Sequence, residues 1–397
     1  MKQDMTDIYF GLLRLSLGIG DAGLPRALSD EEWGWVYRLS VKQSLLGLLY
    51  AAVQKLPADR RPPRALLLRL AHDSMRISQV NGRMNSMAAR VTELFADRGL
   101  HPVILKGQAN ARLYPDPMAR QAGDIDVLIE GGRGGVLKLL KEMGLLQGDV
   151  STHHVHLNQK DFDGITVEVH FKPCSSFSPR YNRNMQEFLD GELMEIRSSG
   201  FGGSALRPAA SGLTPDAVHG QTHAVMSGLT PEGFCVPPVS FALVMQMSHI
   251  KQHFFGTGVG LRQLVDYCLL LRNSSAEDRA RVAERLKDFG LFRMAGAVMW
   301  VMRSVFGLDS SLLLCKPDAR RGKWLLNVVL KGGNLGKFAD DYGSFVLKRW
   351  LNDRKRSLRM LRFDASEAIW HEIRYWKQTL GLMPRRIKRR RLALGKR

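Results

Sequence analysis

The stretch Gly123 to Ile129, GDIDVLI, constrains this chain more than any other, because it sets two carboxylates one residue apart inside a β-branched and aliphatic run. Successive side chains of a strand point to opposite faces, so Asp124 and Asp126 share one face while Ile125 and Val127 occupy the other. Two like charges side by side push one of the pair toward its neutral form unless a cation sits between them. A divalent ion is a common solution, and Mg²⁺ is typically held by one or two carboxylates together with substrate phosphates. A solvated strand edge carrying two surface acids is the alternative for a lone D-x-D, so the surrounding sequence has to decide.

Downstream, HHVHLNQKDFDGITVEVHF reads as two strands joined around Asp163-Gly164, a dipeptide suited to hairpin turns. In the second of these strands Thr166, Glu168 and His170 share a face, with Val167 and Val169 on the other. Glu168 is therefore a third carboxylate with the same polar-in-apolar setting as the Asp pair. Three carboxylates from adjacent strands can converge on two Mg²⁺ ions, the arrangement used for in-line phosphoryl transfer. In that reading the Asp pair holds both metals, and Glu168 binds the catalytic one and assists deprotonation. Upstream, Leu105-Lys106-Gly107 ends the short apolar strand HPVIL. The glycine permits close backbone approach to a phosphate, and Lys106 supplies charge. An ordinary strand-ending glycine beside a solvated lysine is the competing explanation.

The run VILKGQANARLYPDPMARQAGDIDVLIE followed by ITVEVHF resembles the uncharacterised bacterial nucleotidyltransferase family of the DNA polymerase beta-like superfamily. The matching positions are Lys106, Gly107, Tyr114, Arg120, Asp124, Asp126, Glu168 and His170. The resemblance is strongest over 101–171 and extends weakly to GVGLRQLVDYCLLL. It implies an α+β fold, with a small mixed-sheet nucleotidyltransferase core flanked by N- and C-terminal helical regions. It also implies an enzyme that uses Mg²⁺ or Mn²⁺ and an NTP, ATP among the candidates, to transfer an NMP to an acceptor hydroxyl with release of pyrophosphate. Asp124, Asp126 and Glu168 are the expected catalytic and metal-binding residues; Lys106, Gly107, Gln108 and Arg120 are expected at the nucleotide. The superfamily's usual serine after the turn glycine is replaced here by Gln108, and Lys106 or Arg120 are the candidates to take over its role. The acceptor stays open among small molecule, sugar, protein and RNA.

Around that unit the apolar spacing is helical. Trp33, Val36, Tyr37, Leu45, Leu46 and Leu49 belong to several helices before a break at LPADRRPPR. Ile77, Val80, Met84, Met87, Val91 and Leu94 then recur at steps of three and four, predicting a long amphipathic helix capped at Gly99. Helices are also expected over 108–114 and 135–143, and a Gly/Ser-rich loop at RSSGFGGSALRPAASG precedes further helices. The expected organisation is an N-terminal helical region over 1–98, a catalytic core over 99–195, a C-terminal helical region over 196–345 and a basic segment over 346–397. No internal repeat is evident in the sequence.

With 45% apolar and 24% charged residues, 397 residues can bury a substantial core. Cys174, Cys235, Cys268 and Cys315 show no C-x-x-C pairing, which argues against a cysteine zinc site or disulfide framework and fits a reducing cytoplasm. The acidic start of MKQDMTDIYFGLLRLSLGIG is unlike a signal peptide, and no run reaches the ~20 uncharged residues of a membrane span. The net charge of +20 is concentrated at the end, where residues 346–397 hold 17 Lys and Arg against 4 Asp and Glu. This tail reads as a solvated terminus, an anionic-membrane contact or a nucleic-acid contact. It supports an alternative function, a non-catalytic adaptor for nucleic acid or a membrane surface. His153, His154 and His156 lie on the hairpin, while His249 and His253 fall at i, i+4 on a helix, a spacing that suits either a metal or hydrogen-bonded structural histidines. Arg262 and Asp266 have the spacing of a helical ion pair. The family resemblance adds the acceptor site as a surface that Arg262 lines.

Overall fold

In a computed structural model, the structure describes residues 2–20, 24–146, 150–198, 228–256, 258–334, 354, 357–358 and 360–377. The Gly/Ser-rich stretch beyond Ser198, most of the basic segment and the final polybasic run fall outside the described residues. Four helices come first: α1 (Lys2–Leu17), α2 (Asp30–Gln43), α3 (Leu46–Gln54) and α4 (Arg64–Ala96). Helix α2 starts at a capping box, in which Ser29 Oγ accepts from the Glu32 amide at 3.3 Å and Glu32 Oε2 accepts from the Ser29 amide at 2.9 Å. Helix α4 starts after Pro63 and ends where Gly99 takes φ +73°, with the Leu100 amide donating back to the Phe95 carbonyl. Its expected stripe is buried at Met84, Met87 and Val91 but exposed at Val80. The helix passes near there from the apolar cluster containing Leu70 to the one containing Met84.

The α+β unit follows, with strand β1 (Val103–Ile104), helix α5 (Gln108–Ala111), strand β2 (Ile125–Leu128), helix α6 (Gly132–Glu142), and strands β3 (His154–His156) and β4 (Val167–His170). The sheet order is β1-β2-β4-β3, with β2 and β4 parallel and the two outer pairings antiparallel. The chain does reverse around Asp163 and Gly164, which both adopt positive φ, at 53° and 78°, but the β3–β4 connection is longer than a two-residue hairpin turn and includes a 3-10 helix at Gln159–Phe162. The β2–β4 register sets Asp126 opposite Glu168 and Leu128 opposite His170. One sheet face carries Ile125, Val127, Val155, Val167 and Val169, which bury against Met87 and Val91 of α4 and Val136 and Leu140 of α6. The polar members of the same strands therefore face the other way.

Helix α7 (Pro179–Ser198) leads on to a pair of two-residue strands, β5 (Gly228–Leu229) and β6 (Cys235–Val236). Among the described residues there follow helices α8 (Val239–Phe255), α9 (Leu261–Arg272), α10 (Ala276–Arg285), α11 (Phe292–Phe306) and α12 (Ala319–Gly332). A further helical run spans 365–377. The N- and C-terminal helices, separate in sequence, share one apolar core: Leu12, Trp33 and Leu49 belong to the same buried cluster as Phe241, Leu264 and Val298. A fully buried ion pair, Lys251 Nζ to Glu367 Oε2 at 3.1 Å, ties α8 to the last helical run.

Candidate active site

The polar face of the sheet forms the floor of a cleft of about 440 Å³ whose far wall is α8 and the start of α9. Lys106, Gly107, Arg120, Asp124, Glu168 and His170 line it, with His249, His253 and Arg262 opposite. Asp126 lies at the bottom with its side chain fully enclosed. The turn between β1 and α5 has the geometry the sequence suggests, because Gly107 takes φ +64° and a Cβ there would press on the Asp124 carbonyl at 3.2 Å. Helix α5 has only four residues, so what this turn offers to the cleft is chiefly Lys106 and backbone amide.

The cations that compensate the acids are in place. Lys106 Nζ lies 3.1 Å from Asp126 Oδ1, and His170 Nε2 donates to the same oxygen at 2.9 Å. His170 Nδ1 lies 3.3 Å from the Lys172 carbonyl. Acceptors face both ring nitrogens, an arrangement that favours the doubly protonated ring. Burial works against that charge, but the bonds to Asp126 and Glu168 outweigh it and raise the His170 pKa. Burial likewise opposes the Lys106 ammonium, and Asp126, Asp124 and Glu168 together raise its pKa. Asp126 is held well below the usual carboxylate range, its burial penalty overcome by Lys106 and His170. Asp124 moves the other way, raised first by the charge of Asp126 and then by burial. Glu168 is lowered; its burial penalty is overcome chiefly by the bond from His170, whose Nε2 lies 3.5 Å from Glu168 Oε2. Lys106 and the His170 ring thus offset the negative charge that GDIDVLI concentrates.

The donor set fits a hard divalent ion. Asp126 Oδ2 is buried without any hydrogen-bond partner, and a carboxylate oxygen of Glu168 lies within 4.8 Å of one of Asp126. An oxygen-seeking cation is the ligand that would satisfy such an orphan. Asp124 stands at the cleft edge beside this group.

The segment that delivers Asp124 is clamped from three sides. Asn81 of α4 donates from Nδ2 to the carbonyls of Met118 and Arg120 at 2.8 and 2.7 Å. The Leu46 amide at the start of α3 donates to Gln121 Oε1 at 2.9 Å. From α9, Arg262 Nη1 donates to the Gln121 carbonyl at 2.7 Å, and Asp266 accepts from Arg120 at 2.9 and 2.8 Å and from Tyr114 Oη at 2.7 Å. The expected Arg262–Asp266 helical pair is therefore not the one formed: Asp266 takes its partners from the pre-strand loop. Arg120 reaches the cleft wall with its guanidinium engaged by Asp266, and its Nη1 alone is unpartnered. Gln108 is buried away from the cleft, where its Nε2 donates to Asn85 Oδ1, so its side chain is not brought to the site.

Helix α8 adds residues that local motif reading passed over. Gln246 lines the cleft and donates to Asn110 Oδ1 at 2.6 Å, and Gln252 lines it as well. The signal that could have found them is a polar stripe, Gln246, His249, Gln252 and His253, on an otherwise apolar helix. Burial pushes the His253 pKa down to about 4 and that of His249 well below its ordinary value. Their rings pack edge to face at 4.2 Å.

Comparison with known proteins gives one assignment. A family model described as an uncharacterised nucleotidyltransferase matches residues 29–307. No curated protein and no solved structure matches the chain.

Proposed function

The chain belongs to the uncharacterised nucleotidyltransferase family, and from that premise we propose that it transfers an NMP from an NTP to an acceptor hydroxyl, releasing pyrophosphate. The observation that carries this reading is the in-register placement of Asp126 and Glu168 on parallel neighbours β2 and β4, with Asp126 buried against Lys106 and Glu168 lining the cleft. A bound divalent ion, Mg²⁺ or Mn²⁺, supplies neutralisation of the triphosphate and of the charge that develops during in-line displacement. Asp124, Asp126 and Glu168 are the residues to hold it. Lys106 and the Gly107 backbone meet the phosphates, with the free Nη1 of Arg120 at the cleft wall. In the reaction the acceptor oxygen forms a bond to the α-phosphorus as the bond to the pyrophosphate oxygen breaks. Glu168 receives the hydroxyl proton.

The cleft wall from α8 and α9 is where the acceptor is read. Arg262, already turned to the Gln121 carbonyl at 2.7 Å, stands between that wall and the Asp pair. The proposed division into catalytic core and flanking helical regions then places the acceptor surface on the C-terminal region. A screen of NTP binding in the presence of Mg²⁺ and Mn²⁺ tests the function. Metal-dependent binding of one NTP, lost when the acids are removed, is the expected result. Absence of metal-dependent binding for every NTP would overturn it and favour the adaptor role of the basic tail.

A further inference from the structure

We propose that His154 and His156 of β3, together with Glu168 of β4, form a nitrogen-rich site for a borderline divalent transition ion such as Zn²⁺, beside the carboxylate centre. The two histidines are two residues apart on one strand, so they share the face that Glu168 presents from the next strand. The register places His156 directly opposite Glu168 and His154 opposite His170. His154 Nε2 and His156 Nε2 are 3.2 Å apart, His156 Nδ1 is 3.4 Å from Glu168 Oε1, and His154 Nε2 is 3.6 Å from Glu168 Oε2. Ligands at zinc distances of ~2.0–2.1 Å in a tetrahedron stand about 3.3–3.4 Å from one another. Those three spacings use different atoms of His156 and Glu168; with one donor atom taken from each residue, the set lies within 4.8 Å, so an ion entering it draws the side chains together to reach that edge length.

The chemistry of the set separates it from the site proposed for Mg²⁺. Imidazole nitrogens select zinc, copper, iron or nickel, whereas Mg²⁺ takes oxygen donors in an octahedron. Strand β3 is the sheet edge, and the His156 side chain is 43% exposed against 13% for His154, so the fourth position opens to solvent. Hydrogen bonding alone uses the cluster less fully, because only one proton can lie between two facing Nε2 atoms. The Nδ1 of His154 is buried without a partner. Zinc-binding histidines usually have an acceptor behind that nitrogen, and losing one costs roughly 10–100-fold in affinity. The site is therefore expected to be weaker than a structural zinc site and exchangeable.

The proposal shares Glu168 with the nucleotidyl-transfer reading but does not depend on it. Its test is titration of the metal-free full chain with Co²⁺, read by the visible absorption of the four-coordinate ion. One Co²⁺ per chain is expected, displaced by stoichiometric Zn²⁺ and far less readily by Mg²⁺, which competes only for the shared Glu168. His154→Gln and His156→Gln should each weaken Co²⁺ binding by at least ~10-fold, while Asp124→Asn retains the band. Circular dichroism checks the fold of each variant, and the half-exposed His156 carries the test if the His154 variant does not fold. No band in the wild type, a band undiminished in both histidine variants, or a band lost in Asp124→Asn overturns the proposal. NTP binding with Mg²⁺ on the same preparations reports separately on the nucleotidyltransferase reading.

Discussion

Asp124 and Asp126 differ in what a neutral substitute does to the protein. Asp124 sits at the cleft edge and is already driven toward its neutral form by Asp126. Asp124→Asn is expected to fold as the wild type and to lose transfer by two to three orders of magnitude. The several kcal/mol of charge stabilisation a metal supplies correspond to that factor at ~1.4 kcal/mol per tenfold. Asp126→Asn should lose as much activity and also about 1–3 kcal/mol of stability, because Lys106 and His170 are left buried around a group that no longer carries charge. Rates and thermal unfolding measured on the two variants check the contrast, and equal melting temperatures would contradict it. Glu168→Gln is expected to abolish transfer while Mg²⁺-dependent NTP binding largely survives, since its role is with the reacting hydroxyl; parallel loss of both would show that the roles are wrongly divided. These three acids and His170 were legible in the sequence because strand alternation fixes their face. The burial of Gln108 was not, because its partner Asn85 comes from another helix.

The pre-strand loop is held by an ionic clamp and by one close helix contact. Arg120→Met leaves Asp266 as a buried carboxylate short of its cation, an expected loss of ~3–5 kcal/mol. Pairing it with Asp266→Leu replaces both charges by apolar volume, which is often neutral or better, so most of that stability should return. If NTP affinity returns with it, Arg120 serves only the clamp; if stability returns and affinity does not, its free Nη1 serves the nucleotide. Gly47 of α3 fits against the same loop, since an added Cβ would overlap the Ala119 carbonyl. Gly47→Ala is expected to cost about 1–3 kcal/mol by overpacking and to reduce activity through displacement of Asp124. An unchanged melting temperature would disprove that contact. At this scale the long helix, the hairpin and the GDIDVLI strand follow from periodicity. The two-residue strands β5 and β6 are too short to carry any period, and the partner of Asp266 lies 146 residues away rather than four.

Across the whole molecule, the helices that precede and follow the sheet in sequence share one core, which no local pattern announces because the cluster joins residues as far apart as Leu12 and Val298. The basic end is a separate matter. Residues after Gly381 include eight Lys and Arg and no acid. Truncation there is expected to leave transfer to a small acceptor intact and to flatten the log–log salt dependence of single-stranded RNA binding by about 3 units, if half the cations engage at ~0.7 each. The same truncation assayed on anionic vesicles reads a membrane contact, at ~1 kcal/mol per basic residue. An unchanged slope on both would leave the tail without a polyanion role. The order in which the site's parts leave the ribosome follows from its architecture. The floor is complete once β4 pairs alongside β2, but its far wall awaits α8 and α9. At ~5–20 residues per second, synthesis from Glu168 to Arg262 takes roughly 5–20 s. During that interval the nascent chain can present an acidic, histidine-rich surface to the surrounding ions before the helices that enclose it have been made.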